Sequence, residues 1–197
     1  MKGMLVIISG PSGSGKGTVV RNLDKNHYSL SISVTTRAKR PTETEGVEYF
    51  FRTEEEFVRM REENELLEHA QYVGHNYGTP RRYVEEQIAN GKVVVLEIEV
   101  RGALQVRDKF PEAVLVFLMP PTLEELTRRL VFRNTEQAME IEDRLHRALE
   151  EVQLIDQYDY LVINDEIPDV LVKLDAIVKA ERLKPSRCKE AVKNFIQ

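Results

Sequence analysis

Residues 10–18 read Gly10-Pro11-Ser12-Gly13-Ser14-Gly15-Lys16-Gly17-Thr18, directly after the apolar run at 4–8. Successive backbone N–H groups can turn inward around an anion only where no Cβ blocks the approach, and the glycines provide that freedom. A helix expected to begin near Lys16 adds unpaired N–H groups and the positive end of its dipole, and the Lys16 ammonium can reach the outer phosphates of a bound ligand. The strict form of the motif has Ser or Thr directly after the lysine. Here that place is Gly17, with Thr18 next. A Gly/Ser-rich turn without function would have to reproduce strand, glycines and lysine in this order by accident. The chemistry implied is the binding of a nucleoside triphosphate.

Four further clusters carry groups of the right type for phosphate or base chemistry. Arg37 and Arg40 lie in the run Thr35-Thr36-Arg37-Ala38-Lys39-Arg40-Pro41 and can grip a phosphate through charge-assisted hydrogen bonds, with Tyr49 a neutral donor nearby. Read alone, that run could equally be a solvated basic turn. Between Leu67 and Pro80 the chain offers Glu68, Tyr72, Tyr77 and Thr79 around Gly74 and Gly78. His69 and His75 lie in the same stretch but lack a third ligand at metal spacing, so hydrogen-bonded or solvent-facing rings are expected. In Leu96-Glu97-Ile98-Glu99 the two carboxylates are two residues apart and are expected to emerge on one face at the carboxyl end of a strand. Ligands of open parallel sheets bind at that edge, and two like charges there call for a cation or ligand donors. Finally, Arg128, Arg129, Arg133 and Arg144 fall in a helical pattern, with Arg129 and Arg133 one turn apart as clamps on a mobile flap would be.

The elements that must position these groups are legible in outline. Apolar runs at 93–98, 114–119 and 160–163 alternate with helical patterns, which implies parallel strands covered on both faces. Thr53 with Glu56 and Thr122 with Glu125 fit reciprocal helix caps. Thr79-Pro80 reads as an N-cap followed by proline at the first helical position, and Asn90-Gly91 as a stop. Residues 31–83 break the rhythm with short strand-like pieces at 31–35, 47–51 and 68–73 around one helix, as an inserted lobe would. A second insertion is expected at 128–147, and the charged tail at 184–197 is expected to form a loose helix.

Composition sets the outer bounds. The 197 residues are 42% hydrophobic and 31% charged, with a formal net charge of −5. That balance excludes a general nucleic-acid binder, whose affinity rests on neutralising many phosphates, but not a ligand held by a local cluster of cations. The apolar runs are too short to span a bilayer, and residues 1–8 are too short for a secretory signal. The single cysteine, Cys188, excludes an internal disulfide, which together with the missing signal points to the cytoplasm.

Taken together, the clusters resemble the guanylate kinases, nucleoside monophosphate kinases of the P-loop class. The likeness rests on Ser33-Val34-Thr35-Thr36-Arg37, Glu45-Gly46 with Tyr49-Phe50-Phe51, Tyr77-Gly78-Thr79, and Glu97-Ile98-Glu99 with Gly102, and it runs from the phosphate loop to about residue 181. It implies a three-layer α/β/α fold with a parallel core sheet, an inserted GMP-binding lobe and a helical lid. The expected single domain has its core at 1–33, 83–126 and 148–183, the lobe at 34–82, the lid at 127–147 and the tail at 184–197. It implies Mg²⁺-dependent transfer of a phosphoryl group from ATP to GMP, in purine nucleotide metabolism and GMP recycling.

By that resemblance Gly10 to Thr18 cradle the ATP phosphates and Asn164 is a contact near adenine. Arg37, Arg40, Tyr49 and Tyr77 hold the phosphate of GMP, and Ser33, Glu68, Thr79 and Glu99 read guanine. Lys16, Arg37, Arg129, Arg133 and Arg144 neutralise the transferring phosphates. Mg²⁺ is expected mainly on phosphates and water, with Thr18 and Glu97 as indirect contacts. The expected partners are ATP and GMP, with dGMP a further candidate, and neither nucleic acid nor membrane; the chain is expected to act as a monomer or homodimer. The sequence departs from the family at Gly17, at His69 where Trp is usual, at Arg101 where Gln is usual, and at Asn134 where Gly is usual. The alternative is a guanylate-kinase-like module that binds phosphopeptides without catalysis, against which stand the intact Lys16 and lid arginines. A P-loop GTPase is disfavoured because no Asn-Lys-x-Asp guanine reader occurs.

Overall fold

The structure is a computed structural model that describes residues 3–72, 74–132 and 138–196. Along the chain the elements are β1 (Met4–Ser9), α1 (Lys16–Arg21), β2 (Tyr28–Leu30), β3 (Ser33–Thr35), β4 (Tyr49–Phe51), α2 (Glu54–Glu62), β5 (Leu66–Tyr72), β6 (His75–Pro80) and α3 (Arg81–Ala89). They continue with β7 (Val93–Glu97), α4 (Val100–Lys109), β8 (Val114–Met119), α5 (Leu123–Phe132), α6 (Ala138–Val152), β9 (Tyr160–Ile163), α7 (Ile167–Arg182) and α8 (Lys189–Ile196). Two compact units emerge, one from Gly3–Ser9 with Asp24–Leu115, the other from Gly10–Leu23 with residues 116–196.

In the first unit, β2 and β1 both pair in parallel with β7, Met4 opposite Val93 and Ile8 opposite Glu97. β1 is buried throughout and β7 from Val93 to Leu96, so each reads as a continuous apolar run rather than an alternating one. A second sheet runs in the order β4-β3-β6-β5. Its apolar face packs Val34 and Leu66 against Phe57 of α2, with Phe50 and Met60 at the margin. Thr53 and Glu56 form the reciprocal cap of α2 that their spacing predicts. The register of β5 on β6 shifts between Leu66 and His69, the interval that contains Leu67 and Glu68.

In the second unit, Val116–Met119 pair in parallel with Tyr160–Ile163. α5 and α6 share a core of Leu126, Leu130 and Ala148, with Leu145 against it. The Thr122 hydroxyl accepts from the Glu125 N–H as expected, but the Glu125 carboxylate turns away from the cap to pair with Arg128 and Arg129.

Several sequence-based boundaries need correction. Residues 75–80 form a strand that the sequence reading did not separate, and 28–30 form another. Thr79 is therefore the penultimate residue of β6 rather than a helix cap, and Pro80 is the N-cap of α3. The strand continues through Thr79, one residue short of the cap position, and the Thr79 hydroxyl donates across to Glu68. Glu99 caps α4 and is not a strand residue, so the two-residue alternation with Glu97 does not apply to it. The expected helical insertion at 128–147 comprises the end of α5 and most of α6; Arg133 and Asn134 fall outside the described residues. The tail forms α8, preceded by a short 3₁₀ turn at Pro185–Arg187.

Candidate active site

The phosphate loop lies in the second unit. Gly10, Gly13 and Gly15 all have positive φ, at 138°, 84° and 90°. At Gly10 an added Cβ would collide with the Leu118 carbonyl, and at Gly15 with the Asn164 side-chain nitrogen, so neither place admits another residue. The Lys16 ammonium donates to the carbonyls of Gly10 (2.6 Å) and Pro11 (3.1 Å), spanning the loop from its end to its beginning. Ser14 is fully buried and Ser12 and Thr18 are exposed; Thr18 Oγ1 accepts from Arg21 at 3.3 Å. Asn164 follows β9 directly, and its side-chain amide donates to the Ser14 carbonyl at 2.7 Å. Arg129 donates to the Asn164 carbonyl at 3.0 Å and to Glu125 at 2.6 Å. Facing two guanidinium groups, the Glu125 carboxyl is held down at about 2, by Arg128 first and then Arg129. Arg144 is half-buried on α6. Arg129 is thereby placed against the immediate neighbours of the loop.

The first unit holds a cavity of about 820 Å³. Of the residues that the sequence singles out, Ser33, Tyr49, Glu68, Tyr77, Glu97 and Glu99 line it. Glu68 is 6% exposed and its Oε1 accepts from the Thr79 hydroxyl at 2.7 Å. Burial pushes this carboxyl above the ordinary 4.5 and nearby Glu99 pushes the same way, against the Thr79 bond and the Lys109 charge. Gly102 makes room for it, since a Cβ there would stand 3.1 Å from Glu68 Oε2. An ionised carboxylate in this place is an acceptor with unused lone pairs, suited to a ligand that brings adjacent N–H donors.

The rings of Tyr49 and Tyr77 meet edge to face at 5.9 Å, and the Arg37 guanidinium lies over Tyr49 at 5.4 Å from its centroid. Burial, then Tyr77, raises the Tyr49 phenol, so it stays a neutral donor. Arg37 also bonds Glu43 at 2.6 Å and the Ala38 carbonyl at 2.9 Å. The Glu43 carboxylate, which raises the Arg37 guanidinium and is itself lowered by it, takes a second bond from the Arg40 N–H at 2.8 Å. The Arg40 side chain is exposed.

Three contributors escaped the sequence reading, a pair on α4 and one residue in the basic turn. Gln105 on α4 bonds both backbone groups of His69, accepting from its N–H at 3.1 Å and donating to its carbonyl at 3.2 Å, and Lys109 one turn on donates to the Leu66 carbonyl. These bonds hold β5 on either side of Glu68. Their four-residue spacing on one helix face was visible in the sequence; the strand that they reach was not. Glu43 is the third, an acidic residue inside a basic turn. Among the described residues no group of three or more His, Cys, Asp or Glu side chains is arranged to hold a metal.

A family model described as guanylate kinase matches residues 2–181. The chain is 49% identical over 198 residues to a guanylate kinase of Oceanobacillus iheyensis, an alignment that covers 100% of this chain and 96% of that one. It is 48% identical over 199 residues to a guanylate kinase of Bacillus subtilis, covering 100% and 98%. The crystal structure of guanylate kinase from Anaplasma phagocytophilum aligns with a TM-score of 0.70 at 33% identity, over 94% of this chain and 89% of that one.

Proposed function

The chain belongs to the guanylate kinase family, and on that premise we propose how its residues divide the work of phosphoryl transfer. It is an ATP:GMP phosphotransferase, converting ATP and GMP to ADP and GDP. The single observation that carries the assignment of the acceptor is the buried carboxylate of Glu68, held by Thr79 in a cavity of about 820 Å³. Guanine presents N1–H and an exocyclic amine side by side, and one carboxylate accepts both. Adenine brings an acceptor at N1 and would leave Glu68 unpaired. A site built this way can discriminate by roughly 10⁴-fold.

In this reading Ser33 and Glu99 complete the base site, while Arg37, Arg40, Tyr49 and Tyr77 take the GMP phosphate. Arg37 has guanidinium N–H groups beyond the two engaged by Glu43 and Ala38, so it can meet a phosphate without releasing either. The loop from Gly10 to Thr18 holds the ATP phosphates, with Lys16 exchanging its carbonyl partners for phosphate oxygens. Residues 34–82 serve as the acceptor lobe and 127–147 as the lid. In the reaction an oxygen of the GMP phosphate forms a bond to the γ-phosphorus of ATP as the bond to the bridging β,γ-oxygen breaks. No side chain need act as nucleophile; alignment and charge neutralisation supply the rate. Lys16, Arg37, Arg129, Arg133 and Arg144 provide the positive charge.

Mg²⁺ fits this donor set only as an ion carried mainly by phosphates and water, because Gly17 offers no hydroxyl and the described residues make no carboxylate cage. When bound it would neutralise charge on the triphosphate. The exposed Thr18 hydroxyl would support it through water, and the exposed Glu97 would likewise reach it only indirectly. dGMP belongs to the same acceptor class. Among the described residues no helix is long and apolar enough to cross a membrane; the cytoplasm is the location we propose.

A coupled assay with ATP as donor and GMP, AMP, CMP and UMP as acceptors tests the reading. GMP should be preferred by at least about a hundredfold in kcat/KM, and Lys16→Met should lower turnover by a similar factor or more. Near-normal turnover of Lys16→Met, or AMP used as well as GMP, would sink it.

A further inference from the structure

Asn164 spends its polar groups on protein rather than on open space. Its N–H donates to the Met119 carbonyl at 2.7 Å, its carbonyl accepts from Arg129 at 3.0 Å, and its Nδ2 donates to the Ser14 carbonyl at 2.7 Å. The side chain sits where a Cβ on Gly15 would be, and the residue is only 2% exposed. Its Oδ1 is buried without a hydrogen-bond partner among the described residues. An amide kept in a buried place at the expense of one unpaired oxygen points to the other end, the Nδ2 bond, as what the position requires.

We infer that Asn164 is a positioning residue of the donor site: its side-chain amide fixes the Ser14 carbonyl, and hence the Ser14–Gly15 peptide, in the orientation that the phosphate loop needs. The inference rests on the reading that Gly10 to Thr18 hold the ATP phosphates. It gives Asn164 a role different from a contact near adenine, for which 2% exposure leaves almost no surface. A carbonyl tied back to Asn164 cannot swing into the loop, where it would meet the phosphates with the wrong sign, and the Gly15 N–H of the same trans peptide is directed the opposite way. The same residue passes its backbone carbonyl to Arg129, so the loop, the end of β9 and α5 are joined through one side chain and one peptide.

The two roles separate by experiment on the full chain, comparing ATP with inorganic tripolyphosphate, which has phosphates but no base. Calorimetric titration of Asn164→Ala should show both ligands weakened by the same factor, about tenfold for the loss of one neutral hydrogen bond that orients the loop. In steady state, KM for ATP and for GTP as donors should rise together, with KM for GMP within twofold of wild type. Asn164→Asp should be worse than Asn164→Ala for every donor, because a carboxylate oxygen then faces the Ser14 carbonyl. If Asn164→Ala melts below the assay temperature, Asn164→Ser, which keeps a short donor, serves in the same comparison. Weakening of ATP alone with tripolyphosphate unchanged, or a shifted ATP-to-GTP ratio, would overturn the inference in favour of base contact. Unchanged binding of both would overturn it outright. A wild-type chain that bound neither ligand would instead refute the donor reading on which it rests.

Discussion

Glu68→Gln exchanges one oxygen for an NH₂ group and little else. In the wild type, Oε1 takes the Thr79 hydroxyl at 2.7 Å and both oxygens retain lone pairs for the guanine edge. In the variant one position still accepts, but the other sets a donor against a donor. The loss combines one charge-assisted hydrogen bond, about 1.5–3 kcal/mol, with a buried donor left unpaired, about 1–3 kcal/mol. A total of about 2.5–6 kcal/mol corresponds to a fall in kcat/KM for GMP of roughly two to four orders of magnitude. KM for ATP should stay within about twofold, since the two ligands share no group here.

Stability should move the opposite way. Burial raises the Glu68 carboxyl, so the folded protein without GMP binds this proton more tightly than the unfolded chain does. The stabilising contribution is full below the ordinary carboxylate value of 4.5 and is lost as pH rises through the folded value. At neutral pH the ionised group is a net cost that Gln removes, so the variant should melt above the wild type. The pH dependence of KM for GMP gives a third readout: it should worsen in the acid range for the wild type, as Glu68 takes up its proton, and lose that component in Glu68→Gln. Equal losses for GMP and ATP, or a lowered Tm with KM for GMP unchanged, would refute the assignment of Glu68 as the guanine reader.

Two other substitutions probe the same sites from their surroundings. Gly102→Ala brings a methyl to 3.1 Å from Glu68 Oε2 and should raise KM for GMP by roughly three- to tenfold while leaving KM for ATP alone; an unchanged KM for GMP would show that the carboxylate is not held where it acts. Glu125, depressed to about 2 by Arg128 and Arg129, stabilises the fold above pH 4.5, and that contribution fades as pH falls toward 2. Glu125→Gln should therefore melt lower than the wild type at pH 7, with the difference closing near pH 2; a difference independent of pH would exclude the ion pairs as its cause.

What the sequence disclosed and what it withheld divide along the range of the forces involved. β8 and β9 have the ends expected from their apolar runs, and α2 has its reciprocal cap, because these signals are local. The phosphate loop was legible for the same reason, its glycines being contiguous. β6 was hidden because Tyr77-Gly78-Thr79-Pro80 carries glycine and proline, residues that weaken a strand when judged alone. The strand is held by pairing, Tyr77 opposite both Thr35 and Ala70, and pairing is not a local property. Thr79 was misread as a helix cap because only the fold shows that it still belongs to the strand, with Pro80 in the cap position and the Thr79 hydroxyl donating to Glu68. Gln105 and Lys109 were invisible for the related reason that their partners are backbone atoms 36 and 43 residues away.

The charges of the acceptor cavity also decide how a nucleotide can enter it. Glu68, Glu97 and Glu99 all line the cavity, while Arg37 lies outside that lining, over the ring of Tyr49. A phosphate brought to about 5 Å from one of those carboxylates would be repelled by about 3 kcal/mol at the effective dielectric of a protein surface, and three carboxylates compound the effect. Against the arginine the same phosphate is attracted. A nucleotide that entered phosphate first would thus lose the attraction and meet the repulsion, a preference for base-first entry of more than a hundredfold from a single carboxylate alone. On the proposed assignment the carboxylates would do more than read guanine: they would leave the phosphate only one end of the acceptor site to occupy. A chain whose net charge is −5 would then bind an anionic substrate through a few cations that mark one end of the site and acids that exclude the other.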